Sequence, residues 1–133
     1  MSEEQVRYLS QLDVLFIHDD TMDEEGGMRG IRDLGALASA VDMPQSGFGG
    51  VLFHSDLAAK AAAYLYHICE NHAFIDGNKR TAAFSALLFL TINGIPDDDL
   101  PDREALEVVT LEVASKKMTK PEVASFIRSC IDK

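Results

Sequence analysis

His72, Asp76, Asn78, Lys79 and Arg80 fall within one nine-residue segment, His72-Ala73-Phe74-Ile75-Asp76-Gly77-Asn78-Lys79-Arg80. Those residue types suit the attack of a hydroxyl on a phosphoryl group. A histidine can take the hydroxyl proton near neutral pH. A carboxylate is a hard oxygen ligand for Mg²⁺, so Asp76 is the candidate metal residue. Gly77 permits close backbone approach, and Asn78 can donate hydrogen bonds to phosphate oxygens. Lys79 and Arg80 can neutralise the charge that develops in transfer. General-base help from His72 would be worth about a hundred- to ten-thousand-fold in rate. Taken singly, each residue has a plainer use. A histidine after a helix is a cap or a packed ring, an Asp-Gly is a turn, and Lys-Arg on a helix is solvated surface. Their combination carries the chemical reading. The segment is no Walker loop, since GxxxxGK[ST] is absent and no strand precedes it.

The almost wholly apolar run Ala82 to Ile92 follows at once and predicts a buried helix over Asn78–Asn93, with Gly94 as its C′ residue. The polar cluster then sits at that helix's N-terminal end, where unpaired N–H groups attract anions. Two cations at that end cost up to about 1 kcal/mol each unless compensated, and a bound phosphate would compensate them. Phe74 reads as a core anchor that keeps the polar groups aimed.

The elements that must hold this segment are read from caps and periodicity. Ser2 with Gln5 suggests a capping box, and Val6, Leu9, Leu12, Leu15 and Phe16 mark one face of a helix ending near His18-Asp19. Thr21 to Gly30 reads as a polar loop. Ile31, Leu34, Leu37, Ala38 and Val41 mark a second helix. Pro44 to Phe53 carries three glycines and predicts a short β-hairpin or flap. Ser55 or Asp56 caps an alanine-rich helix that stops near Asn71, so the motif is the turn between two helices. Asp97-Asp98-Asp99 is a solvent-facing acidic loop rather than a metal site. Leu106, Val109 and Val113 mark a further helix. Thr119-Lys120-Pro121-Glu122 starts the last one, which carries Val123, Phe126, Ile127 and Cys130. The expectation is one all-α domain over residues 1–133 with one small hairpin.

Composition narrows the partners. The 133 residues carry 12 basic and 22 acidic side chains, a net charge of −10. That argues against nucleic acid and against an anionic membrane surface as partners. Cys69 and Cys130 form no CxxC pair and read as two reduced core thiols. The acidic start Met1-Ser2-Glu3-Glu4 lacks an apolar signal region, and no apolar run reaches membrane-spanning length. A cytoplasmic location is expected.

At His72, Phe74, Asp76, Gly77, Asn78, Lys79 and Arg80 the chain resembles the Fic/Doc family, whose signature runs HxFx[DE]GN[GK]R. The resemblance extends to His18-Asp19, Gly30-Ile31-Arg32-Asp33, the Pro44–Phe53 flap and Asn93-Gly94. The chain is therefore similar to Doc-type (death-on-curing) proteins along its length. The resemblance implies a compact all-α core, use of ATP with Mg²⁺, and a protein hydroxyl as acceptor. It gives His72 the base role, Asp76 the metal role and Gly77, Asn78, Lys79 and Arg80 the phosphate cradle. The flap residues Gly47, Phe48, Gly49, Gly50, Val51, Leu52 and Phe53 take the role of aligning a target segment by strand addition.

AMP-transferring Fic proteins usually have a second glycine where Lys79 stands and a second arginine where Ala83 stands. Doc toxins share the lysine and lack that arginine, bind the nucleotide in reverse, and move the γ-phosphate. A protein kinase is therefore favoured over an AMP-transferase, although AMP-transferases share Gly77. A module that binds nucleotide or protein without chemistry is the alternative of another class. Elongation factor Tu is the target the resemblance suggests first, and a separate antitoxin chain the expected restraint. Thr21 to Gly26 fits an inhibitory pattern, [ST]xxxE[GN]. The fit is set aside, because Gly26-Gly27 suggests a loop and Ala83 removes the arginine such a glutamate would meet.

Overall fold

The computed structural model describes residues 2–132. Six helices run in the order α1 (Gln11–Glu25), α2 (Leu34–Asp42), α3 (Leu57–Asn71), α4 (Asn78–Ile92), α5 (Arg103–Ala114) and α6 (Lys120–Ile131). Strands β1 (Gly47–Phe48) and β2 (Val51–Leu52) form an antiparallel hairpin between α2 and α3. The all-α expectation with a single small hairpin holds.

Helix α3 is the axis of the domain. Ala58, Ala61, Ala62 and Ala63 on it are buried, and small side chains let neighbouring backbones come close. Helices α2, α4, α5 and α6 all pack against it. Tyr64, Leu65 and Ile68 fill the gaps beside Phe89 and Leu90 of α4, Leu106 of α5 and Ile127 of α6. Each fully buried large apolar side chain of this kind stabilises the fold by about 1.5–3 kcal/mol relative to exposure. The starts are set locally. Asp33, Asp56 and Thr119 each accept the backbone N–H three residues on in the helix they cap. Gly94 leaves α4 with a φ of +88°, as a C′ residue should.

The N-terminal region differs from the sequence expectation. The Ser2–Gln5 box forms, but it caps a single 3₁₀ turn, Glu3–Gln5. The chain then runs extended. Helix α1 begins only at Gln11, under a second box in which Ser10 and Asp13 bond each other's backbone N–H. The extended segment finds partners that no local signal reveals. Asn93 takes the Arg7 N–H and donates to the Arg7 carbonyl, and the buried Tyr64 hydroxyl accepts from Leu9. The expected stripe is only partly buried: Leu9 is in the core and Val6 and Leu15 pack partly against it, but two of its members on α1 face out. Leu12 and Phe16 are 58% and 62% exposed, while Val14, His18, Thr21 and Met22 face inward. Helix α1 passes the expected stop at His18-Asp19 and ends at Gly26, so Thr21 to Glu25 is helical rather than a loop. Both cysteines are free thiols, Cys69 buried and Cys130 half-buried. Burial pushes the Cys69 thiol up to about 11, which keeps it protonated and inert. Among the described residues no helix is long and apolar enough to cross a membrane.

Candidate active site

The motif turn is built by one strained residue, one glycine and three clips. His72 ends α3 in the left-handed region, with φ 48° and ψ 49°. A histidine there costs about 1–2 kcal/mol, so something must hold it. Arg32 does so by donating from Nε to the His72 carbonyl at 2.8 Å and from a terminal nitrogen to Asn71 at 3.3 Å. The segment around Arg32 lies antiparallel to the turn. Ile31 bridges Phe74, and the N–H groups of Arg32 and Asp33 both donate to the Ala73 carbonyl. Phe74 is buried and stacks on the His18 ring, with centroids 3.8 Å apart and planes 7° from parallel. His18 Nε2 lies 2.8 Å from the Asp76 carbonyl, so one imidazole fixes the turn at two points.

Asn78 is the third clip. Its side-chain oxygen accepts from the Phe74 N–H at 3.0 Å and its amide donates to the Phe74 carbonyl at 2.9 Å. The side chain expected to face phosphate is thus buried and engaged, with one amide hydrogen left for a ligand. Gly77 precedes α4 with φ +82°, and a Cβ there would run into the Met22 methyl. No side chain caps α4. Its first N–H groups are open to a ligand.

Glu25, His72, Asp76, Lys79, Arg80 and Glu107 line one cavity of about 450 Å³ together with the α4 N-terminus. His72, Asp76 and Lys79 are exposed to it. Asp76 Oδ2 accepts the Met28 N–H at 3.0 Å, and Gly27 passes so close that a Cβ would sit 3.1 Å from that oxygen. The second oxygen has no bond among the described residues, so it is free for a cation. Among the described residues no group of three or more histidine, cysteine or carboxylate side chains is placed to hold a metal. Mg²⁺ here would depend on one carboxylate, phosphate oxygens and water, its usual manner of binding.

The two cations differ. Lys79 has no carboxylate partner among the described residues. Arg80 pairs with Glu25 from the end of α1, and more distantly, at 3.7 Å, with Glu107 of α5. Arg103 also approaches Glu107, again at 3.7 Å. The charge at this helix end is therefore compensated by carboxylates before any phosphate arrives. Glu25 is the glutamate of the pattern set aside above. The expected loop is helix as far as Glu25, and the arginine that Glu25 meets is Arg80. Ala83 is fully buried and contributes nothing to the cavity. The sequence names Glu25 only within that discounted pattern, and gives no site role to Glu107, Arg32 or His18. For Arg32 and His18 the only signal was family resemblance around them.

The flap stands apart with its apolar side chains outward. Phe48, Val51 and Phe53 are 83%, 70% and 63% exposed. Phe48 pairs with Val51, and the Phe53 N–H donates to Ser46. By the alternation of an antiparallel ladder, Gly47 and Leu52 turn their backbone groups to the free edges.

A six-helix domain with a hairpin flap and a histidine beside an uncapped helix N-terminus defines a recognisable class. A model of the Fic/DOC family matches residues 8–90. The chain is 40% identical over 100 residues to Toxin Doc of Mycolicibacterium smegmatis (strain ATCC 700084 / mc(2)155), covering 75% of this chain and 77% of that protein. It is 32% identical over 125 residues to Protein kinase doc of Escherichia phage P1, covering 92% and 94%. The chain belongs to the Fic/DOC family and is of the Doc type.

Proposed function

We propose that this chain is a toxin-like protein kinase that moves the γ-phosphate of ATP to a Ser or Thr hydroxyl of a target protein. The observation that carries the reading is that His72 and the unpaired Lys79 share one cavity with the open N-terminus of α4. His72 takes the proton of the hydroxyl, the hydroxyl oxygen bonds to the γ-phosphorus, and the bond to the β-phosphate oxygen breaks, releasing ADP. The N–H groups of α4, Lys79 and a released Arg80 neutralise charge on the polyphosphate. Mg²⁺ fits on the free oxygen of Asp76, where it would screen charge on the phosphate chain. The free edges of the flap suit a target segment in extended form.

Lys79 and the buried Ala83 favour γ-transfer, since the cavity lacks the second arginine of AMP-transferring relatives. Gly77 favours the second reading, AMP transfer on the same site. The relative named as a toxin supports restraint by a separate antitoxin chain. A cytoplasmic place of work follows from the ATP and the protein target. Elongation factor Tu is the first target to try.

Incubation with cell lysate and ATP labelled at the α- or γ-phosphate tests the proposal. The expected result is γ-label in a protein band, abolished by His72→Ala. α-Label would replace the kinase with an AMP-transferase. No label from either would leave a binding module.

A further inference from the structure

A second cavity, of about 390 Å³, opens between the end of the flap and α6. Phe53, His54, Lys120, Ser125 and Arg128 line it, and no carboxylate does. In a chain of net charge −10 that is a local exception. Of its two cations, Arg128 is already compensated, and the nearby carboxylates are all engaged with residues other than Lys120. Asp56 accepts from two Arg128 nitrogens, Nε and one terminal nitrogen, at 2.7 and 3.1 Å. Glu122 is held by Thr119 in the α6 cap, and Glu70 pairs with Lys116. Lys120 is left with His67 Nε2, 3.0 Å away, as its hydrogen-bond partner among the described residues. Partial burial lowers its pKa, the mark of a cation short of compensation. Beside it His54 is 5% exposed, and its Nδ1 has no hydrogen-bond partner. A buried polar atom left unpaired costs about 1–3 kcal/mol, but this nitrogen is closed off from solvent, so Lys120 is the group that would meet an anion in the cavity.

The occupant is indicated by position. Phe53 lines this cavity and also closes the hairpin through its bond to Ser46. A peptide lying along the flap therefore passes the mouth of a cavity whose Lys120, held by His67 and the Tyr66 ring face, has no carboxylate partner among the described residues. We infer that the cavity between the flap and α6 takes an acidic side chain of a peptide laid on the flap, with Lys120 as its ion-pair partner. The inference rests on the flap's proposed role in aligning the target. It adds that the target segment carries an aspartate or glutamate at a fixed distance from the docked strand.

The test uses the full chain with His72→Ala, without ATP, on an array of extended peptides randomised at all positions but one. At one position a fixed Asp or Glu is expected to bind about tenfold more tightly than Asn or Gln. Lys120→Gln, which can still donate to His67, is expected to remove that preference while the thermal midpoint stays near that of the parent. A preference that survives Lys120→Gln, no preference, or no peptide binding would each overturn the inference. Inorganic phosphate is titrated separately, with the His54 and His67 ring resonances as readout. Saturable phosphate binding without an acidic-peptide preference would mean a general anion site and would also overturn it. Label transfer by the unmodified chain is scored independently, so the docking site and the kinase reading can fail separately.

Discussion

Arg80 is the residue at which this site departs most from a simple phosphate cradle. The sequence shows a cation at a helix N-terminus, an unfavourable place, and the structure answers with Glu25 and Glu107. A polyphosphate must compete with Glu25 for the guanidinium. Glu25→Gln is therefore expected to raise affinity for a non-hydrolysable ATP analogue about two- to fivefold, the range of a partly exposed ion pair. Isothermal titration calorimetry reads this directly, and unchanged or weaker binding would show that the pair does not gate the site. The motif's residue types were legible because they are contiguous. The use of the Asn78 amide on Phe74 was not, since a side chain's choice between ligand and backbone depends on the path of the turn. Glu25 lies 55 positions before Arg80 in the chain, so no spacing rule links them.

At the scale of elements, the starts of α3 and α6 and the end of α4 fall where local chemistry says. Caps at Asp56 and Thr119 and the positive-φ Gly94 act within a turn of themselves. Helix α1 defeated periodicity. Its Leu12 and Phe16 meet solvent, and its inward face carries His18 and Thr21, which look polar in a sequence. The seam between α3 and α6 carries a pH dependence of its own. Burial and the Lys120 charge press His67 down to about 4 from an ordinary 6.5. Between those values the unfolded chain binds a proton that the folded chain refuses, so stability falls as pH is lowered through that window. His54, also lowered by burial first and Lys120 second, acts in the same sense. Discounted for its partial exposure, the His67 share is on the order of 1 kcal/mol. Thermal melts at pH 7 and pH 5 should show a smaller loss of midpoint in His67→Gln than in the parent. An equal loss would place the acid sensitivity elsewhere.

The whole molecule brings the end of α1, the α3–α4 turn and α5 to one cavity. A ligand there is linked to the stability of the fold, by about 2.7 kcal/mol at a hundredfold excess over its dissociation constant. ATP is expected to raise the melting midpoint, Mg²⁺ to enlarge that rise, and Asp76→Asn to abolish only the Mg²⁺ increment. An increment that persists in Asp76→Asn would take the metal role from this residue. The asparagine oxygen can still accept from Met28, so the turn should hold. By itself the sequence determined the reactive segment, the glycine turn before α4, the flap, the N-caps of α3 and α6 and the Gly94 end of α4. These depend on backbone groups within a few residues of one another. Only the tertiary structure decided which face of α1 is buried, and that Arg32 and His18 brace the motif. It alone also decided that Glu25 and Glu107 hold Arg80, and that Lys120 stands without a carboxylate beside the flap. Those outcomes follow from how helices pack around the alanine-rich α3, where side-chain volumes set the approach of elements far apart in the chain.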